Sequence, residues 1–180
     1  MTQVPQEVVW LVAIVLTEAA VIDWMTLKVP NWLTFHMLLG GLGYWAWQGG
    51  TPALMQSLGG AGLGLAVLMP LYMIGGMGAG DVKLYAGFGA WVGPAVVIPA
   101  FVTSALVGGV IGLGMIAWSG NYAKHWAMIQ TIFEEIVTVR DPVKLSELAA
   151  ARKPSMTLLP YGVPLYIGSV AYCAWSGMMF

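Results

Sequence analysis

Apolar blocks of membrane-spanning length, separated by brief polar or glycine-proline breaks, constrain this chain more than any other feature. Hydrophobic residues fill 59% of its 180 positions and charged residues only 8%. A soluble domain carries about 25% charged residues, and roughly 20 apolar residues cross the hydrocarbon core of a bilayer. The chain therefore reads as an all-α, polytopic membrane protein, a single integral-membrane domain over residues 1–180 with about six transmembrane helices.

The breaks set the spans. Span one runs roughly from Val8 to Ile22, and Asp23 follows it. Lys28-Val29-Pro30-Asn31 is a polar turn, with Pro30 in the first turn of the next helix, where its missing N–H costs nothing. Span two covers about Trp32 to Trp47 and ends in Gln48-Gly49-Gly50-Thr51-Pro52, a loop by its turn chemistry. Span three, about Ala53 to Ile74, carries Gly59, Gly60, Gly62 and Gly64, read as packing residues because small side chains let membrane helices approach closely. A glycine-rich turn at 75–80 leads into a short span four, Asp81 to about Trp91. Gly93-Pro94 separates it from span five, about Ala95 to Trp118, and span six runs from about Leu158 to Met178.

Residues 119–157 form the one extended polar region. Within it Ala127, Ile129, Ile132, Phe133, Ile136 and Val137 recur at helical spacing, with Gln130, Glu134 and Glu135 elsewhere on the wheel. That pattern predicts an amphipathic helix lying along the membrane interface. Asp141-Pro142 predicts the cap and first turn of a second short helix towards Ala151.

Charge fixes the orientation. With the N-terminus outside, Lys28, Lys83, Lys124, Arg140, Lys144, Arg152 and Lys153 all fall on the cytoplasmic side, and the outer segments hold no Lys or Arg. That is what the positive-inside rule demands. It also brings Asp23 and Asp81 to one face.

Several classes are excluded. A lone Cys173 allows neither an intrachain disulfide framework nor a cysteine zinc site. His36 and His125 lack ligand-spaced companions, so neither a metal nor a cofactor is expected. No basic cluster suits nucleic acid. The first segment lacks a positive n-region and carries Glu18 and Asp23, so it reads as a retained span rather than a signal peptide. Trp10, Trp24, Trp32, Trp47, Trp91 and Trp118 sit near predicted span ends, as an aromatic belt does.

The chemistry is expected at Gly76-Met77-Gly78-Ala79-Gly80-Asp81-Val82-Lys83-Leu84. An ionisable group at membrane depth is a functional candidate by default, and Asp23 is its obvious partner. Two adjacent carboxylates share a proton: the charged one draws a proton from water while the neutral one protonates an amide carbonyl. Asp81 opens a helix and Asp23 closes one, so the helix dipoles make Asp23 the expected neutral partner. Gly78 and Gly80, without Cβ atoms, would let a peptide backbone approach. The bland readings are an ion pair of Asp81 with Lys83, an interfacial cap for Asp23, an anchoring role for Lys83 in place of a substrate contact, and a helix–helix hydrogen bond for Glu18.

Gly78-Ala79-Gly80-Asp81 resembles the GxGD motif of intramembrane aspartic peptidases, and the Gly-Asp-Val-Lys-Leu run resembles the type IV prepilin peptidase family in particular. Asp23 ahead of Lys28-Val29-Pro30-Asn31, and Leu159-Pro160-Tyr161-Gly162-Val163-Pro164 at the start of span six, resemble two further elements of that family. The resemblance implies catalysis by Asp23 and Asp81 and a cleft shaped by Pro160 and Tyr161, for which a helix-start role is the plain alternative. It implies a prepilin or pseudopilin substrate with a short basic leader, cut just before its apolar helix at the cytoplasmic face of the bacterial inner membrane. Larger members carry a cysteine-containing cytosolic insert near the N-terminus and N-methylate the new end. This chain has no such insert and resembles the short, Flp or tight-adherence form. Membrane lipid is the other expected partner, and the oligomeric state is left open. Two readings from other classes use the same residues: a small transporter relaying protons through the acids, and a non-catalytic assembly subunit.

Overall fold

The computed structural model describes residues 4–139, 141, 144, 145, 147, 148, 151 and 160–180. Arg140, Arg152, Lys153 and the expected start of span six at Leu158 lie outside the described residues, as does the side chain of Lys124. The described elements are helical: α1 (Gln6–Thr26), α2 (Asn31–Met73), α3 (Ala79–Val92), α4 (Pro94–Ser119), α5 (Tyr122–Thr138) and α6 (Gly162–Trp175). Of the short helix expected after Asp141, Lys144, Leu145, Glu147, Leu148 and Ala151 are helical, and the Leu145 N–H bonds the Asp141 carbonyl at 3.0 Å.

Three helices, α1, α2 and α4, are long and apolar enough to cross a membrane. The 43-residue α2 is two apolar helices joined end to end, because it breaks at Gly50 (φ 59°, ψ −149°), a backbone conformation nearly confined to glycine. Instead of the expected loop over 48–52, the chain reverses sharply there. Packing against α3 proves the reversal. Along the first half of α2, Met37 lies against Gly87 and Gly41 against Ala90 and Trp91, so that half runs parallel to α3. Along the second half, Gly60 meets Gly89 and Gly64 meets Tyr85, so it runs back.

α3 is the axis of the bundle. Its 14 residues span about 21 Å, short of the ~30 Å hydrocarbon core. Every residue from Asp81 to Val92 is buried except Lys83, as expected of a helix apolar on all sides. The two halves of α2 clasp it at contact distance: a Cβ on Gly60 would lie 2.0 Å from the Gly89 carbonyl oxygen. Polar side chains tie the layers. Ser57 Oγ donates to the Ala90 carbonyl at 2.6 Å, Trp91 Nε1 to Met37 at 2.8 Å and Tyr85 Oη to Val97 at 3.0 Å. Without water to compete, such bonds are stronger than at a surface.

Two readings need correction. Trp91 is 7% exposed and belongs to the core rather than to an aromatic belt, because its indole N–H finds the Met37 carbonyl inside; Trp10, Trp24, Trp32, Trp47 and Trp118 are exposed. Of the four glycines in the second half of α2, Gly60 and Gly64 make the close approach, whereas a Cβ at Gly59 or Gly62 would meet nothing.

The remaining helices alternate in direction. α4 follows Gly93, whose φ of 77° turns the chain, and returns antiparallel to α3, with Val97 beside Gly89 and Phe101 beside Tyr85. α6 runs antiparallel to α4, with Gly168 on Ser104 and Pro164 beside Gly108, and antiparallel to α1, with Gly162 at Asp23 and Phe180 at Trp10. It ends at Trp175, short of Met178, because Gly177 takes φ 73° and the Met178 N–H reaches back to the Cys173 carbonyl. The contacts thus put the end of α1, both ends of α2, the start of α3, the end of α4 and the start of α6 at one end of the bundle.

Candidate active site

Asp23 lies in the last turn of α1, 3% exposed. Its Oδ2 accepts the Gly162 N–H at 2.8 Å. Gly162 opens α6, where the first N–H groups have no partner within the helix, so Asp23 caps α6 across 139 positions of sequence. The fit depends on glycine, since a Cβ at Gly162 would lie 3.0 Å from the Asp23 Cβ.

Asp81 is the third residue of α3, 5% exposed, and its Oδ2 accepts the Gly78 N–H at 3.0 Å. A carboxylate at this position reaches back to the N-cap amide and meets the positive end of the helix dipole. Gly80 brings this helix start against the turn between α1 and α2: a Cβ there would lie 2.7 Å from the Val29 carbonyl oxygen. That turn leaves α1 through Leu27, which adopts a left-handed conformation (φ 53°). Such a conformation costs roughly 1–2 kcal/mol in a side-chain-bearing residue.

Asp23 and Asp81 line one cleft of about 530 Å³, together with Lys28, Val29, Gly76–Gly80 and Tyr161. Tyr161 also lies within electrostatic reach of Asp81. Gly78, Gly80 and Tyr161 are thus gathered with the two acids. Lys83 is not; its Nζ donates to Asn31 Oδ1 at 3.0 Å on the exposed side of the α2–α3 contact. Pro160 stands just ahead of α6, its carbonyl accepting the Val163 N–H at 3.1 Å, and it is not among the residues lining the cleft. Glu18 is exposed on α1 and does not line the cleft. His36 Nδ1 meets the Trp32 carbonyl of its own helix, and His125 pairs with Ser119. Among the described residues no group of three or more His, Cys, Asp or Glu is arranged to hold a metal ion.

The fold changes one electrostatic expectation. Asp23 ends α1, but it also faces the N-terminus of α6. Both acids therefore sit at a helix N-terminus and accept a glycine N–H, and helix dipoles alone no longer make Asp23 the neutral partner. Gly162, Lys28 and Val29 stand in the motifs quoted from the sequence, yet sequence reasoning assigned them no place in the site. Gly162 had a signal, one position beyond Pro160-Tyr161.

The profile of the type IV leader peptidase family matches residues 10–113, well over half of the chain and a stretch that includes both acids. The chain belongs to this family. Among curated relatives, the prepilin leader peptidase/N-methyltransferases of Aeromonas salmonicida strain A449 and Aeromonas hydrophila are each 38% identical over 109 residues. Those alignments take in 57% of this chain and 37% of each relative, so the chain spans little more than a third of the length of the curated relatives it matches. No solved structure matches it.

Proposed function

We propose that this leader peptidase family member is an intramembrane aspartic endopeptidase. Its substrates are prepilin-like precursors of the Flp type, cut at the cytoplasmic face of a bacterial inner membrane. The carrying observation is the convergence of Asp23 and Asp81, from two different helices, on one cleft at one end of the bundle. Lys28 and Lys83 lie at that same end, which supports its assignment as cytoplasmic.

The two carboxylates share one proton, since like charges at close range do not both ionise cheaply. The ionised acid takes a proton from a water as it attacks the scissile carbonyl, while the neutral acid protonates the carbonyl oxygen. Collapse of the tetrahedral species returns the proton to the leaving amine. Each acid is oriented by a glycine amide, Gly162 for Asp23 and Gly78 for Asp81. Nothing in this sequence of steps asks for a metal or a covalent intermediate. Asp23 and Asp81 are the only buried acidic side chains among the described residues, and both sit at one end, an arrangement that disfavours a proton relay through the membrane depth.

The test uses purified protein and a precursor with a basic leader and an apolar helix, in water enriched in oxygen-18. Mass spectrometry is expected to find one cut ahead of the apolar helix, one heavy oxygen in the new leader carboxylate, and an unchanged rate under chelator. Loss of activity on chelation would contradict the two-carboxylate mechanism.

A further inference from the structure

Beside the cleft lies a mostly apolar groove of about 390 Å³ between α4, α6, the end of α2 and the start of α5, lined by Leu68, Leu71, Gly109, Gly112, Met115 and His125 among others. Met77 and Tyr161 line both the groove and the cleft of the two acids. A Cβ at Gly108 would lie 3.4 Å from Pro164, two positions beyond the Gly162 that holds Asp23. The groove therefore passes the acids at their own depth and shares a wall with them.

Two of the lining glycines have no packing partner among the described residues. A Cβ at Gly109 or Gly112 would meet nothing within 4 Å, whereas one at Gly60 or Gly89 would strike backbone at 2.0 and 2.1 Å. Glycine within a helix is about 0.8–1.0 kcal/mol less favourable than alanine. Close helix contact offsets that at Gly60 and Gly89; among the described residues nothing does so at Gly109 or Gly112. Small residues in an apolar wall admit a second helix at short range.

Resting on the peptidase reading above, we propose that this groove seats the apolar helix of the precursor, entered sideways from the lipid. Met77 and Tyr161 form the threshold over which the chain passes to Asp23 and Asp81. A precursor cut just ahead of its apolar helix must start that helix within a few residues of the acids. The groove offers an apolar wall at that place. A lipid chain or a second copy of this protein would suit the lining, but neither needs a seat that opens onto the acids.

The experiment carries a photo-crosslinking residue at Leu71 or Met115 in the groove, and at Leu106 or Val110 on the outer face of α4, where exposure is 67% and 71%. Asp81→Asn keeps the probe uncut. The probe is a synthetic precursor, a short basic leader followed by an apolar helix of about 20 residues, reconstituted with the protein in vesicles. Crosslinks from the groove positions are expected to exceed those from the outer positions by about tenfold, and Gly112→Leu to lower them to the background, a loss equivalent to ~1.4 kcal/mol. In the active protein the same substitution raises KM for the precursor and leaves kcat unchanged, as removal of uniform binding does. Equal yields from all four positions would overturn the proposal, as would groove crosslinks to lipid or to a second copy that persist when precursor is added. Selective crosslinks without any cleavage by the unsubstituted protein would uphold the seat and sink the peptidase reading. Cleavage without selective crosslinks would do the reverse.

Discussion

Each acid at this site is held by a backbone amide of a glycine, so the side chains flanking the carboxylates matter less than the absence of side chains beside them. Gly162→Ala sets a methyl 3.0 Å from the Asp23 Cβ. Displacing a reacting group by even 1 Å can cost about 10²-fold in rate, and a loss of that order in kcat is expected, with the protein still inserted, in a cleavage assay on membranes. Lys83→Ala is the contrast. Its side chain reaches Asn31 on an exposed surface, so cleavage is expected to survive and stability to change by no more than about 0.5 kcal/mol. Asp23 and Asp81 were legible because a carboxylate is conspicuous in a chain so poor in charge. The partner of Asp23 was not, because a contact across 139 positions is decided by how α6 docks on α1.

Among the elements, α3 shows what periodicity reveals and what it leaves hidden. Its apolar character all round announces burial, and the glycines facing it announce close packing, but not which of them do the packing. Gly89→Leu drives a side chain into the Gly60 backbone. It is expected to destabilise by about 1–3 kcal/mol or more, read as a fall in the thermal midpoint in detergent. Gly62→Leu, with open space at its Cβ, leaves the midpoint in place. Trp91 was misjudged for the same reason: its place near a span end was visible, its turn inward to the Met37 carbonyl was not. α5 is the reverse case. Its exposed Trp126, Ile129, Phe133, Ile136 and Val137 share one face, as the helical spacing predicts. A nitroxide at Phe133 is expected to be relaxed by oxygen more than by a water-soluble nickel reagent, and one at Thr131, on the opposite face, the other way round; the same response at both would argue against an interfacial α5.

At the scale of the whole molecule, alternating helix directions gather both acids, the turn between α1 and α2, and the start of α6 at one end. The order of spans was legible because glycine, proline and charge mark each break. The lateral arrangement was not, since it rests on which glycine meets which backbone. Orientation can be read by placing single cysteines at the exposed Thr51 and Ser119 after replacing the buried Cys173. An impermeant maleimide is expected to label position 51 from outside and position 119 only in inverted vesicles. If Asp23 and Asp81 act as one catalytic pair, cleavage of a co-expressed prepilin by the unsubstituted protein, Asp23→Asn and Asp81→Asn reads it directly. A processed pilin band is expected with the first and only the full-length precursor with either variant, all three being inserted in the membrane to the same extent. A processed band surviving in either variant would contradict the pairing.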